Sequence, residues 1–124
     1  MNLSIAMLNA VQNGGGTFKV TRGWVSPQLK FKPVEFQTGY MVAVADGLDN
    51  EYVLYADTIE RFVIEHGLID NPTQYLGLWQ DDETGDWSID VVSNELDMQT
   101  AYDLAELYNQ KAIWSCSSKR ALTV

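Results

Sequence analysis

Two apolar runs, Gln74–Gln80 and residues 87–92, flank an acidic segment at residues 81–86, and in the second run Trp87, Ile89 and Val91 alternate with the polar residues Ser88 and Asp90. Alternation with a period of two is typical of strands that bury one face. The connecting segment contains Gly85, which favours a β-hairpin with a left-handed residue in its turn. The hairpin therefore predicts an antiparallel sheet with one apolar face.

Helical spacing of apolar residues predicts the first helix over residues 4–11, followed by a flexible turn at residues 13–16, where three glycines occur together. Asp57 and Glu60 match the spacing of a capping box, which predicts the start of a second helix. Gly67 is well placed to end that helix because glycine readily adopts a left-handed conformation.

Asp97 is expected to cap the third helix, which would end near Asn109. Besides the hairpin, apolar or alternating runs predict strands at residues 17–22, 39–45, 52–56 and 112–116. We expect residues 52–56 to pair with residues 39–45 and residues 117–124 to form a frayed tail. Residues 23–38 contain two prolines and are expected to be irregular, with either an extended edge segment or a loop held by Phe31 and Phe36.

These elements predict one α+β domain over residues 1–124, with a mainly antiparallel sheet of about five strands and two to three helices packed on one face. The 46% hydrophobic content suits a globular protein. A single cysteine, the lack of a signal-peptide pattern and the lack of an apolar run long enough to span a bilayer predict a soluble cytoplasmic protein without membrane association.

The formal net charge of −9 is concentrated in the middle of the chain. Residues 46–110 contain 16 of the 17 acidic residues and one base, Arg61. Such a segment repels nucleic acid and attracts basic surfaces. The alternative is that the acids only keep a small domain soluble.

Residue patterns give no support to a catalytic, metal or cofactor site, so the sequence argues against an enzyme without excluding one. The glycines at residues 14–16 lack the context of a phosphate-binding loop, and residues 81–86 lack calcium-loop spacing. His66, the only histidine, is expected to cap or pack at a helix end. Cys116 is expected to be a buried apolar residue.

Aromatic residues are numerous, and most are expected in the core. Trp79 and Trp87 flank the hairpin turn and are expected to pair across the strands. Trp24 lies in the irregular segment and is expected to be at least partly exposed.

The second half of the chain contains Leu78-Trp79-Gln80-Asp81, then Thr84-Gly85-Asp86-Trp87, and a helix ending in Tyr108-Asn109-Gln110-Lys111-Ala112-Ile113-Trp114. This pattern resembles that of small uncharacterised bacteriophage and prophage proteins. The resemblance implies a mobile-element origin and an accessory role, and it assigns no functional residue.

Our first hypothesis is an interaction protein that binds a host or phage protein with a basic surface, in the manner of a nucleic-acid mimic or a counter-defence protein. The carboxylates expected to form this acidic face are Asp81, Asp82, Glu83, Asp86, Asp90, Glu95, Asp97, Asp103 and Glu106.

Three alternatives stay open. One is a ligand-binding domain or enzyme with a site near His66 and Tyr55. Another is direct nucleic-acid binding, which the net charge opposes. The residues that would carry it are Lys19, Arg22, Trp24, Lys30, Lys32, Lys119 and Arg120. The third is a homodimer formed through an edge segment that contains Phe31 and Phe36.

Overall fold

The computed structural model describes residues 1–23, 28–45 and 47–124. The described residues form the elements α1 (Leu3–Asn13), β1 (Gly15–Arg22), β2 (Leu29–Pro33), β3 (Tyr40–Ala43), β4 (Leu48–Glu51), α2 (Ala56–Glu65), β5 (Gln74–Gln80), β6 (Trp87–Glu95), α3 (Met98–Leu107), β7 (Ala112–Ser115) and β8 (Arg120–Thr123). The α+β class is confirmed, but the sheet has eight strands rather than about five. Trp24 lies outside the described residues.

All strand pairs in the sheet are antiparallel, and the spatial order is β2-β1-β5-β6-β3-β7-β8. The long strand β6 pairs with β5 along one side. On its other side it pairs with β3 near Glu95 and with β4 near Trp87. Strand β6 is therefore the centre of the sheet.

The expected hairpin is confirmed as β5 and β6, with Leu76 opposite Val91 and Leu78 opposite Ile89. The expected pairing of Trp79 with Trp87 is wrong, because Trp79 lies opposite Ser88 and Trp87 opposite Gln80. One-residue displacement along a strand places the two indoles on opposite faces. Trp87 is 5% exposed and Trp79 is 38% exposed.

Two short strands differ from the expectations. The strand expected at residues 52–56 is wrong: β4 ends at Glu51 and pairs with β6, where β3 leaves the edge of β6 unpaired. The expected frayed tail is also wrong, because residues 120–123 pair with β7 as β8. The extended edge segment expected within residues 23–38 is the edge strand β2.

The helix ends follow local hydrogen bonding. Asp97 caps α3 as predicted, with its carboxylate accepting from the Thr100 N–H at 2.9 Å. The capping box at Asp57 is wrong, because α2 begins at Ala56 and its N-cap residue Tyr55 makes no side-chain cap. Gly14 ends α1 at φ 72°, but the expected glycine turn is shorter than predicted because β1 begins at Gly15.

One face of the sheet packs against all three helices. Its fully buried side chains include Phe18, Leu76 and Ile89, which form a single cluster with Ala6 of α1 and Ala101 of α3. The small alanines let α1 and α3 approach the sheet closely. This packing leaves the other face of the sheet, termed the open face, without a helix.

Candidate functional site

The open face is set by the strand registers. It carries Tyr75, Gly77 and Trp79 of β5, Asp90 and Val92 of β6, Met41 and Ala43 of β3, Trp114 of β7 and Ala121 of β8. Part of this face is closed by a second, smaller cluster of Met41, Val92 and Cys116, against which Phe36 and Tyr75 pack. The remainder forms a hollow.

This hollow, termed the tryptophan groove, has a volume of about 210 Å³. Trp79 and Trp114 both line it and are 38% and 44% exposed. Its lining also includes Ala43, Val92 and Asp90. Small and apolar residues between two part-exposed indoles produce a shallow, concave, largely apolar surface, which is the usual character of a ligand site.

A second hollow of about 220 Å³ adjoins the groove, since both are lined by Met41, Trp79 and Trp114. It extends toward Cys116 and Lys119. Three hollows have larger volumes, of about 400, 430 and 510 Å³, but their described lining contains no tryptophan. The two indoles therefore distinguish the open face from these three larger hollows.

Two glycines leave space for the Trp79 side chain against the sheet. A Cβ at Gly77 would lie 2.7 Å from Trp79 Nε1, and a Cβ at Gly15 would lie 2.8 Å from Trp79 Cε3. Both distances are well inside van der Waals contact, so a larger residue at either position would displace the indole. The indole thus lies flat against the sheet between β1 and Val92.

Asp90 supplies the charge in the groove. Burial, reinforced by the nearby carboxylate of Asp49, raises the pKa of Asp90 from 3.8 to about 6. The carboxylate lies against Gly47, where a Cβ would come within 2.3 Å of Asp90 Oδ1. A perturbed carboxyl group inside a concave site is a common feature of functional sites.

Lys19 lies on the same face toward β2. Its ammonium group is buried, has no hydrogen-bond partner among the described residues, and is 5.3 Å from the ring centroid of Tyr75. The Tyr75 ring also packs edge-on against Phe36, with 5.2 Å between centroids. Lys19 therefore lies beside Tyr75 and is not among the residues that line the tryptophan groove.

The two residues with the most familiar catalytic chemistry have structural roles. His66 stacks on Phe62 with 4.0 Å between ring centroids and makes a 3.0 Å contact from Nδ1 to the Phe62 carbonyl, as expected of a packing residue. Cys116 is buried, as expected. Burial raises the pKa of the Cys116 thiol, and the Asn94 amide 3.7 Å away offsets this only partly.

The nine carboxylates expected to form one acidic face occupy separate parts of the molecule. Four lie in the β5–β6 turn and one, Asp90, lies in the groove. Glu95 and Asp97 lie at the far end of β6, about 25–30 Å from that turn at roughly 3.3 Å per residue. Asp103 and Glu106 lie on α3. The carboxylates gathered in the turn are Asp81, Asp82, Glu83 and Asp86.

The Asp81 side chain stabilises this turn through hydrogen bonds with its backbone. Its Oδ1 accepts hydrogen bonds from the Thr84 N–H at 3.0 Å and the Glu83 N–H at 2.8 Å, and these bonds hold the pKa of Asp81 below its usual value. None of the described carboxylates forms an ion pair. The carboxylates of the turn are thus uncompensated by neighbouring bases.

The basic residues considered for nucleic-acid binding do not form one surface. Lys30 and Lys32 lie on the edge strand β2. Lys119 and Arg120 lie at the β7–β8 turn, at the opposite edge of the sheet. The residues expected to surround a His66 site are also dispersed, because Tyr55 precedes α2 and His66 follows it.

No protein-family model, curated protein or solved structure matches this chain. Within residues 1–23, 28–45 and 47–124, no helix combines the length and hydropathy needed to cross a lipid bilayer. In the same residues, no group of three or more histidine, cysteine, aspartate or glutamate side chains is arranged to hold a metal ion.

Sequence reasoning missed the groove. Trp114 was expected in a strand but was given no role, and Gly77 was not singled out. The one available signal was a glycine in the middle of a strand two residues before a tryptophan, which marks a close approach to the backbone. Asp90 was identified as an acidic residue, but its place beside Trp79 depends on the sheet order.

Proposed function

We propose that this protein binds a small ligand in the tryptophan groove of the open face. The observation that carries this proposal is the pair of part-exposed indoles, Trp79 and Trp114, beside an apolar floor on the sheet face that the helices leave free. Exposed aromatic residues around a concave surface are characteristic of binding sites.

The fit of Trp79 supports this proposal. The absence of a side chain at Gly15 and Gly77 allows the indole to lie against the sheet, where it lines the groove. A preorganised aromatic wall loses little conformational freedom when a ligand stacks on it. The volume of about 210 Å³ lies below the range of about 300–1,000 Å³ for drug-sized ligands, so the expected ligand is small.

The test is a fragment screen by protein-observed NMR with neutral, cationic and anionic aromatic compounds of fewer than about 15 non-hydrogen atoms. We expect shift changes to cluster at the indole N–H signals of Trp79 and Trp114. Trp79→Ala and Trp114→Ala should each weaken the hits, whereas Leu107→Ala, at an exposed site on α3, should not. Hits confined to other surfaces, or no hits, would reject the groove as a binding site.

A second candidate is the interaction protein predicted from the sequence, and it is supported by the uncompensated carboxylates of the β5–β6 turn. Under this proposal a phage or mobile-element accessory protein acts in the cytoplasm and occupies the basic, nucleic-acid-binding surface of a host or defence protein. The resemblance to phage proteins stays a prediction.

Its test neutralises the turn without unfolding it. Because Asp81 holds the turn, the variant is Asp82→Asn, Glu83→Gln and Asp86→Asn, with Asp81 retained. A partner captured at low salt should bind this variant more weakly. The control carries Asp103→Asn and Glu106→Gln on α3. Equal affinity of the turn variant and the native protein would reject this candidate.

A further inference from the structure

The tryptophan groove has an uneven distribution of charge. Asp90 is the one charged residue of its described lining, and the carboxylate of Asp49 lies near enough to influence it. Neither carboxylate forms an ion pair with a described base. The site therefore presents negative potential within a lining whose other side chains are apolar except for the Gln110 amide.

A half-buried carboxylate without a cation is unfavourable, because the surrounding apolar groups replace part of its hydration. No neighbour of Asp90 in the sheet relieves this cost. Asp49 on β4 is also acidic, and Gly77, opposite Asp90 on β5, has no side chain. A positively charged ligand would supply the missing partner.

The walls of the groove favour the same class of ligand. The face of an indole ring attracts cations, by about 0.5–2 kcal/mol depending on desolvation. Trp79 and Trp114 both border the groove that contains Asp90. Aromatic faces and a carboxylate together select a cation with an attached apolar group over an anion of the same size.

We propose that the ligand of the tryptophan groove is a small organic cation, with an ammonium or guanidinium group paired with Asp90 and its apolar part against Trp79 and Trp114. This inference rests on the proposed function of the groove. Neutral aromatic ligands, anionic ligands and divalent metal ions are the competing classes, and the experiment separates them.

The experiment uses three probes of similar size and different charge: benzyltrimethylammonium, benzyl alcohol and benzoate. Isothermal titration calorimetry at pH 7.5 in low salt should give the cation at least about tenfold tighter binding than the alcohol, and benzoate the weakest binding. The quaternary ammonium does not titrate, so any change of its affinity with pH reports on ionisation of the protein.

The variant Asp90→Asn should abolish most of the preference for the cation while retaining the binding of benzyl alcohol. Asp103→Asn removes the same charge from exposed α3 and should leave the preference unchanged. Loss of the preference in Asp103→Asn as well would show that net charge alone attracts the cation, and it would overturn the pairing with Asp90.

The remaining outcomes distinguish this inference from the proposed function. Equal binding of benzyl alcohol and the cation at the two tryptophans would overturn the inference and leave the groove as a ligand site. Binding of no probe would overturn both. Tight binding of Ca²⁺ that is lost in Asp90→Asn, without binding of the organic cation, would assign the site to a metal ion and overturn the inference.

Discussion

The indole nitrogen of Trp79 occupies the space directly above Gly77, 2.7 Å from the position that a Cβ on Gly77 would take. Gly77 lies in the middle of β5, where glycine adds no side chain to the sheet and weakens the strand. Its presence is explained by the close approach of Trp79, which forms one wall of the tryptophan groove.

Gly77→Ala is therefore expected to displace the Trp79 indole with little change in stability. The indole is 38% exposed and can swing toward solvent, so we expect the free energy of unfolding to fall by less than about 1 kcal/mol. Binding of benzyltrimethylammonium should weaken by about tenfold, and the Trp79 indole signal should shift in NMR spectra.

The double variant provides the control. In a Trp79→Ala background, the added methyl group of Gly77→Ala meets no indole, so it should not weaken binding further. Additive effects of the two substitutions on binding would mean that Gly77 acts through some contact other than Trp79.

Asp90 is expected to give stability a pH dependence of a particular sign. Since its pKa rises from 3.8 to about 6 on folding, the folded state binds the proton more tightly than the unfolded state. The resulting stabilisation is present below about pH 4 and is lost as the pH rises through 6. The shift corresponds to up to about 3 kcal/mol, at 1.36 kcal/mol per pH unit.

Urea unfolding from pH 4 to 7.5 checks this. Asp90→Asn should be more stable than the native protein above pH 6, with the difference shrinking toward pH 4. Asp82→Asn in the exposed turn is the matched control and should show no such trend, and Asp49→Asn should move the transition of Asp90 to lower pH. A stability difference that grows toward low pH would contradict the buried position of Asp90.

The sequence predicted the elements whose signals are local. The β5–β6 hairpin was predictable because its two apolar runs, the alternation in the second run and its turn lie within 22 consecutive residues, from Gln74 to Glu95. Asp97 was predictable because an N-cap contacts residues only three positions away. Each of these features depends on neighbours along the chain.

Other features depend on distant pairing and were not predictable. Strand β4 is only four residues long and pairs with β6, some 40 residues away. The groove has the same origin: Trp79 and Trp114 line one hollow because β6 and β3 separate their strands in the sheet. No periodicity in the sequence specifies that order.

Lys19 gives a prediction about stability alone. Its ammonium is buried without a hydrogen-bond partner among the described residues, which costs about 1–3 kcal/mol, and the ring of Tyr75 at 5.3 Å offsets part of this. We expect Lys19→Met to increase the free energy of unfolding by about 1 kcal/mol, because the methionine keeps the apolar packing and removes the buried charge.

Chemical denaturation at pH 7 measures this change. Lys30→Met, at an exposed position on β2, should alter the free energy by less than about 0.5 kcal/mol. Replacing Tyr75 with Leu should destabilise the native protein more than the Lys19→Met variant, since only the former contains the cation above the ring. Destabilisation by Lys19→Met would show that the ammonium makes a favourable interaction.

Strand β8 is expected to stabilise the domain and to protect one edge of β7 from self-association. Leu122 lies opposite Ile113 and packs against the main core, and the Val124 N–H donates to the Lys111 carbonyl at 2.9 Å. A chain ending at Lys119 would lose these contacts and leave one edge of β7 unpaired, while its other edge would stay paired with β3. We expect the free energy of unfolding to fall by about 2 kcal/mol through loss of the apolar contact, and we expect concentration-dependent self-association through the freed edge.

Thermal unfolding and light scattering measure the two effects. Arg120→Ala is the control because it removes an exposed side chain while keeping the strand. A chain ending at Lys119 that unfolds at the native temperature and stays monomeric would mean that β8 contributes nothing to the sheet, as the sequence alone had suggested.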